Sequence, residues 1–379
     1  TALIHFPLFL STKTLRRKGG LLRWQKYMFY AAICQRTVMS TICSLSLEVY
    51  RHCLSTDDTM DALIVDLSSV ASISKHISLR YNWEHTYALV NSVVDDWTMV
   101  EDPRRRDVMI KYFKRGRIVS TMILYLGYAS AASIIFGMNI IDKTLKDNVT
   151  LGTTYFLATY CVFAPMPIFV HGPVLALQVI QMFSNAVSHC GSDGFFFTLV
   201  THLCGQFEIL KMDFAEMEIN KYTSHYQFKI LIRRHCQLSK LADHLEHAFN
   251  MVILVQLLMM IHLYSSGFEL LIALQMKDDT ATTKHAILII TMLFQLFLYA
   301  YAGDALESHT EEIAYAAYNA PWYEFPGQVA KNVILIMVRG NEPHQVSAGK
   351  FISMNLSTFK EILKTSASYL SVLRVMLEP

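Results

Sequence analysis

Apolar residues gather into seven stretches long enough to cross a bilayer, which takes about 20 residues of helix, with charged segments between them. They run Tyr27–Val49, Met60–Leu79, Arg117–Ile141, Val174–Phe207, His247–Met276, Lys284–Leu306 and Phe351–Leu377. The first, second and last are weak by hydropathy because they hold Arg36, Asp66, Lys75, Glu361 and Lys364. Ionisable side chains are tolerated at membrane depth when they face a bundle interior or a watery path. The pattern predicts an all-α membrane protein with seven transmembrane helices and a polar interior.

Composition strengthens that reading: of 379 residues, 53% are hydrophobic and 17% charged, with a mean hydropathy of +0.30, far from soluble averages. A net charge of +2, without an RNP or zinc-finger pattern, excludes a nucleic-acid partner and leaves the lipid bilayer as the expected surroundings. The placement of charge then gives orientation, since Lys and Arg accumulate on the cytoplasmic side. One set of connections holds Lys13, Arg16, Arg17, Arg104, Arg105, Arg106, Lys111, Lys114, Lys211, Arg233, Arg234, Lys331 and Arg339 among others, whereas the opposite set holds only Arg51, Lys143, Lys146, Lys277 and Lys284. The N-terminus is therefore expected inside and the C-terminus outside, and an inside N-terminus needs no cleavable signal peptide. Asn148-Val149-Thr150 is an N-glycosylation sequon on the outer side of this topology, whereas Asn355-Leu356-Ser357 sits at a helix start near the cytoplasm.

The chemistry of catalysis is sparse. His244 and His247 stand three residues apart at a loop–helix junction without an HExxH pattern, and read as a surface pair more readily than as metal ligands. Ser192-Asp193 and His202 share one span without a nucleophile elbow, and read as polar contacts between helices. Arg36 and Asp66 are candidates to meet across spans one and two. No enzyme, metal or cofactor is expected. Of seven cysteines, Cys53 and Cys161 fall on the oxidising side, and the sequence does not decide whether they pair. A G-protein-coupled receptor, with its N-terminus outside and its Asp/Glu-Arg-Tyr and Asn-Pro-x-x-Tyr motifs, fits poorly. So does a transporter built from internal repeats.

The final span carries a stripe. Thr365, Ser368, Val372, Val375 and Met376 recur at three- and four-residue steps and share one helical face. The stripe passes from hydroxyls to apolar side chains. By spacing alone it is either the wall of a pore with an apolar constriction or a packing seam. Before it, Tyr315–Arg339 is too polar to span and reads as a cytoplasmic helix, with a helix lying on the membrane as the rival.

The last third of the chain resembles the insect odorant receptors. "YAYAGDALES" (Tyr299–Ser308), "AAYNAPWYEFP" (Ala316–Pro326), "KNVILIMVRGNEP" (Lys331–Pro343), "AGKF" (Ala348–Phe351) and "TFKEILKTSASYLSVLR" (Thr358–Arg374) follow that family's order and spacing. Upstream, "HCGSDGFFFTLVTHLCGQFEIL" (His189–Leu210) is similar to its fourth span. "SASYL" departs from the aromatic-rich run common in the family.

The resemblance implies a ligand-gated non-selective cation channel of four subunits, placed in the plasma membrane of a sensory neuron dendrite. The compact Lys211–Glu246 connection is similar to the ligand-tuned subunits, whose partner is the shared odorant receptor co-receptor. Residues 1–314 would form the ligand-binding helical domain, and 315–379 the cytoplasmic anchor helix and pore-lining span. By resemblance, Val372, Val375 and Met376 fall at the gate, below which Thr365 and Ser368 line the pore. Trp322, Tyr323, Val333 and Leu335 would supply the subunit interface. A small volatile odorant would sit between the outer halves of spans two to six. The candidates there are Leu63, Ile64 and Leu67; Ser130, Ser133, Ile134, Phe136, Gly137 and Ile140; Leu177, Gln181 and Met182; His262 and Phe268; and Met292 and Gln295.

Overall fold

Period-3.6 burial continues well past the hydropathy runs, and the helices follow it. A computed structural model describes residues 46, 50, 56–137, 168–216, 224–320, 322–324, 327–340 and 342–377. The elements are α1 (Thr56–Tyr81), α2 (Trp83–Met99), α3 (Pro103–Gly137), α4 (Ile168–Ala215), α5 (Ser224–Leu258), α6 (Met260–Met276), α7 (Asp279–Asn319), a 3₁₀ turn (Trp322–Glu324), α8 (Gly327–Gly340), β1 (Ser347–Ala348), β2 (Ile352–Ser353) and α9 (Leu356–Leu377). The expected span Tyr27–Val49 lies outside the described residues apart from Ser46.

Among the described residues, four stretches are long and apolar enough to cross a membrane: Ala62–Tyr81, Pro103–Ile135, Tyr226–Met276 and Asp279–Asn319. Helix α4 is not among them because Gln178, Gln181, Asn185, His189 and Asp193 lower its hydropathy, and all five are buried. It forms the centre of the bundle, packed along α3 and also against α1, α5 and α7. Close approach to α3 uses two glycines. A Cβ on Gly194 would lie 3.2 Å from the Ser120 Cβ, and one on Gly205 3.1 Å from the Tyr112 Cβ, the small-residue contact by which membrane helices pack. Phe196 stacks on Tyr299 of α7 at 5.0 Å and meets Phe249 of α5 at 5.1 Å.

Two expectations are corrected and one helix is added. The connection Lys211–Glu246 is mostly helix: Leu231, Leu238, Ala242, Leu245 and Phe249 step by three, four or seven residues and are buried. Lys229, Arg233 and Lys240 occupy other faces of α5 and hide it from a hydropathy window. The fifth span is then broken by a single turn residue, Met259. Next, the connection between the spans Met60–Leu79 and Arg117–Ile141 contains α2, whose buried Thr86, Leu89 and Val93 form a stripe too short to cross a membrane. Last, the helix expected over Tyr315–Arg339 is Gly327–Gly340, because α7 runs on to Asn319. It stops where Ala320, extended at φ −68° and ψ 154°, precedes Pro321, as the proline ring demands. Residues 314 and 315 thus fall inside one helix.

The hairpin β1–β2 prepares α9. Gly349, at φ +59°, makes its turn and donates to the Asn250 carbonyl at 2.9 Å, while Glu246 accepts from the Ser347 backbone at 2.9 Å and from its hydroxyl. The hairpin is thereby fixed to α5. Phe351 belongs to it, so α9 starts later than the sequence pattern suggested, with the Asn355 Oδ1 accepting from Thr358 N at 3.0 Å as N-cap.

Candidate functional site: a cavity above a buried ion pair

Helices α1, α3, α4 and α7 line a partly open cavity of about 70 Å³, where ~10–15 Å³ admits one water. Ile64, Val65, Ile134, Met182, Leu288 and Met292 make its apolar wall; Ala131 and Ala186 present small side chains, and Gly127 makes room for the Cys190 sulfur; Ser68, Ser130, Asn185, His189, Cys190, Thr291 and Gln295 supply polar atoms. An apolar pocket with a few placed polar groups is the usual form of a small-molecule site. Both methionines can reshape the wall, since the thioether chain is unbranched and flexible.

Immediately adjoining it lies a charged network. Lys75 of α1, with a fully buried side chain, donates from Nζ to Asp193 Oδ1 of α4 at 2.6 Å and to Gln256 Oε1 of α5 at 2.7 Å. The Tyr299 hydroxyl of α7 donates to the same Asp193 oxygen at 2.6 Å. Gln256 Nε2 donates to Gln295 Oε1 at 3.2 Å, and Gln295 Nε2 to Cys190 Sγ at 3.6 Å. His189 Nε2 lies 3.5 Å from Lys75 Nζ. Because His189, Cys190 and Gln295 also line the cavity, the network forms part of its wall and joins four helices there. Breaking one side of such a pair would leave an uncompensated buried charge.

Ile64, Ser130, Ile134, Met182, Met292 and Gln295, six of the candidates, line this cavity. Leu63, Leu67 and Leu177 do not, being 40%, 41% and 50% exposed; their helical phase turns them away from the cavity. Ser133 donates to the Ser130 carbonyl at 2.8 Å, while Gln181 is buried and Phe268 half-buried away from the cavity lining. Phe136, Gly137, His262 and Met376 stand at helical positions whose side chains are not described, and Ile140, Asn148, Cys53 and Cys161 lie outside the described residues.

Sequence reading missed the pairing of Lys75 with Asp193. Each stood out as an ionisable residue in an apolar run, but a separation of 118 residues leaves no periodic signal. Asp66, matched in sequence with Arg36, accepts from Ser46 Oγ at 2.9 Å. His244 pairs with His85 of α2 through Nδ1 atoms 2.6 Å apart, so it is a contact between helices. His202 also joins a cluster: Asp96 of α2 binds His202 Nε2 at 3.0 Å and Arg234 of α5 at 2.7 Å. Burial pushes the Asp96 carboxyl up, but the His202 hydrogen bond and the Arg234 charge outweigh it and hold the group below its ordinary value.

In α9, Ser366, Phe359 and Leu370 pack inward. Ser366 lies 3.4 Å from the Tyr264 hydroxyl, Phe359 meets Phe297 edge-on at 5.6 Å, and Gly267 leaves room for Leu370. Thr365, Ser368, Val372 and Val375 are exposed on the other side. In and before α8, Tyr323 and Leu335 are exposed, Trp322 is half-buried, and Val333 is fully buried within the chain. Val333 is therefore removed from the candidate interface, for it packs against the chain's own core.

Several known proteins are similar to this chain. The chain is 26% identical over 204 residues to Odorant receptor 22c of Drosophila melanogaster, a match covering 49% of this chain and 48% of that one. It is 25% identical over 281 residues to Odorant receptor Or2 of Anopheles gambiae, covering 71% of each. The chain thus spans about half the length of the first relative and more of the second. The fold matches the insect olfactory receptor OR5 from Machilis hrabei, solved in complex with eugenol, at a TM-score of 0.76 and 13% identity over 94% of this chain and 92% of that one. A second structure of the same receptor matches at 0.78 and 12%, with equal coverage. The family model described as 7tm Odorant receptor matches residues 55–367, and the chain accordingly belongs to the odorant receptor family of membrane proteins.

Proposed function

We propose that this chain is the ligand-tuned subunit of a ligand-gated, non-selective cation channel. A small volatile odorant enters the cavity among α1, α3, α4 and α7, and α9 lines the conducting path. The exposed face of α9 carries this reading: Val372 and Val375 are 54% and 69% exposed, on the side of the helix that also bears Thr365 and Ser368. Lipid suits the valines but not the hydroxyls, whereas a water-filled axis shared with further chains suits both, with the valines as the constriction that gates by dewetting. The partner is the odorant receptor co-receptor, in a heterotetramer at the dendritic plasma membrane, with the N-terminus inside and the C-terminus outside. Residues 1–314 hold the ligand, and residues 315–379 supply the anchor and the pore. The α8 segment anchors the subunits from the cytoplasmic side through Trp322, Tyr323 and Leu335, and Asn148 carries the glycan.

Coexpression with the co-receptor and whole-cell recording across an odorant panel tests this. Odorant-evoked cation currents that need this chain are expected. An extracellular N-terminal epitope on intact cells, or odorant responses that persist when only the co-receptor is present, would overturn the reading.

A further inference from the structure

The cavity's polar groups are not equally satisfied. The Thr291 hydroxyl donates to the Ile287 carbonyl at 2.8 Å, and Gln295 is engaged by Gln256 and Cys190 at its two ends. Asn185 differs. Its Nδ2 donates to Ser68 Oγ at 3.2 Å, but its Oδ1 is buried with no hydrogen-bond partner, and the residue is only 8% exposed. A buried amide oxygen left unsatisfied is costly, and a ligand that donates to it recovers that cost on binding. No Lys, Arg, Asp or Glu lines the cavity itself, and Lys75 and Asp193 beside it are paired with each other, so an ionised ligand would meet no free counter-charge there and would lose its hydration.

We propose that the cavity recognises a small, neutral, largely apolar molecule carrying one hydroxyl, which donates its hydrogen to Asn185 Oδ1 while its hydrocarbon part lies against Ile64, Ile134, Met182 and Leu288. The inference rests on the reading of this cavity as the odorant site. It adds a direction to the hydrogen bond, and therefore a ligand class: alcohols are preferred over ethers, aldehydes and ketones of the same size, which offer only an acceptor. The small volume further favours short chains, with the two methionines yielding as chain length grows.

The test uses cells expressing the full chain with the co-receptor and a panel of straight-chain primary alcohols, each matched to the aldehyde and the methyl ether of equal heavy-atom count. Alcohols are expected to activate at concentrations about tenfold lower than their matched ethers, the worth of one hydrogen bond to a buried acceptor. Asn185→Leu, which keeps the volume and removes the acceptor, should collapse that ratio toward unity while the ether response persists. Surface expression of Asn185→Leu, measured alongside wild type, serves as the folding control. Ala131→Phe fills the cavity itself and should abolish responses to the whole panel. If Ala131→Phe silences the channel but Asn185→Leu retains the alcohol preference, the hydroxyl assignment falls and the cavity stands. If Ala131→Phe leaves the responses intact at normal surface expression, the cavity reading falls. Aldehydes or ethers outperforming alcohols, as a reversed Asn185 amide would produce, or silence across the whole panel, would likewise overturn the proposal.

Discussion

Lys75 and Asp193 show how single residues set the internal order of this bundle. Each would be expelled from an apolar interior alone; together they are held by Gln256 and Tyr299 in a network spanning four helices. Removing one partner strands the other, so Lys75→Met or Asp193→Leu alone is expected to cost ~3–5 kcal/mol, and the double variant to recover most of that loss. Thermal unfolding of the detergent-solubilised protein measures both. Equal losses in the single and double variants would show that the pair is not coupled. Tyr299→Phe removes one hydrogen bond to a charged acceptor and should cost ~1.5–3 kcal/mol by the same measurement.

The elements were legible to the extent that burial and hydropathy agree. Helices α1, α3, α6, α7 and α9 sit where the apolar runs placed them, with altered ends. Helices α2 and α5 were obscured because their buried stripes, such as Leu238, Ala242, Leu245 and Phe249, are masked by charged neighbours on exposed faces. Six cavity residues were legible through the family resemblance, whereas Asn185, Ser68 and Gly127 were not, since nothing in a single sequence reports which face of α4 meets α1 and α3. Local chemistry also fixes helix ends. Asp278 caps α7 through Oδ1, accepting from Thr280 N at 3.0 Å, Ala281 N at 3.1 Å and the Thr280 hydroxyl at 2.7 Å, and the Thr280 hydroxyl bond, followed by the Ala281 backbone one, holds its carboxyl below the ordinary value. Asp278→Ala should cost ~1 kcal/mol at neutral pH. A depressed carboxyl gives its stabilisation above its ordinary pKa and loses it as pH falls through the folded-state value. The difference between wild type and Asp278→Ala should therefore stay constant from neutral to mildly acid solution and shrink only in strong acid. A difference that already disappears near neutrality would contradict the cap.

At the scale of the whole molecule, two exposed surfaces among the described residues bear on assembly and conduction. One is the outer side of α8 with the preceding turn, where Tyr323 is 72% and Leu335 65% exposed and Trp322 donates its indole hydrogen to the Tyr318 carbonyl at 3.0 Å. Burial of such a surface contributes roughly 25 cal/mol per Å², so Trp322→Ala and Leu335→Asp are expected to reduce tetramer recovery on size exclusion of the complex with the co-receptor. An unchanged tetramer peak would place the subunit contacts elsewhere. The other surface is the stripe on α9, on which the account of conduction depends. A polar side chain in a dry constriction costs ~2–7 kcal/mol unless water enters, so Val372→Gln should wet the gate. Whole-cell recording of Val372→Gln coexpressed with the co-receptor is the most direct measurement: the account predicts raised ligand-independent current or altered cation selectivity at normal surface expression, and wild-type leak, selectivity and block in that variant would contradict it.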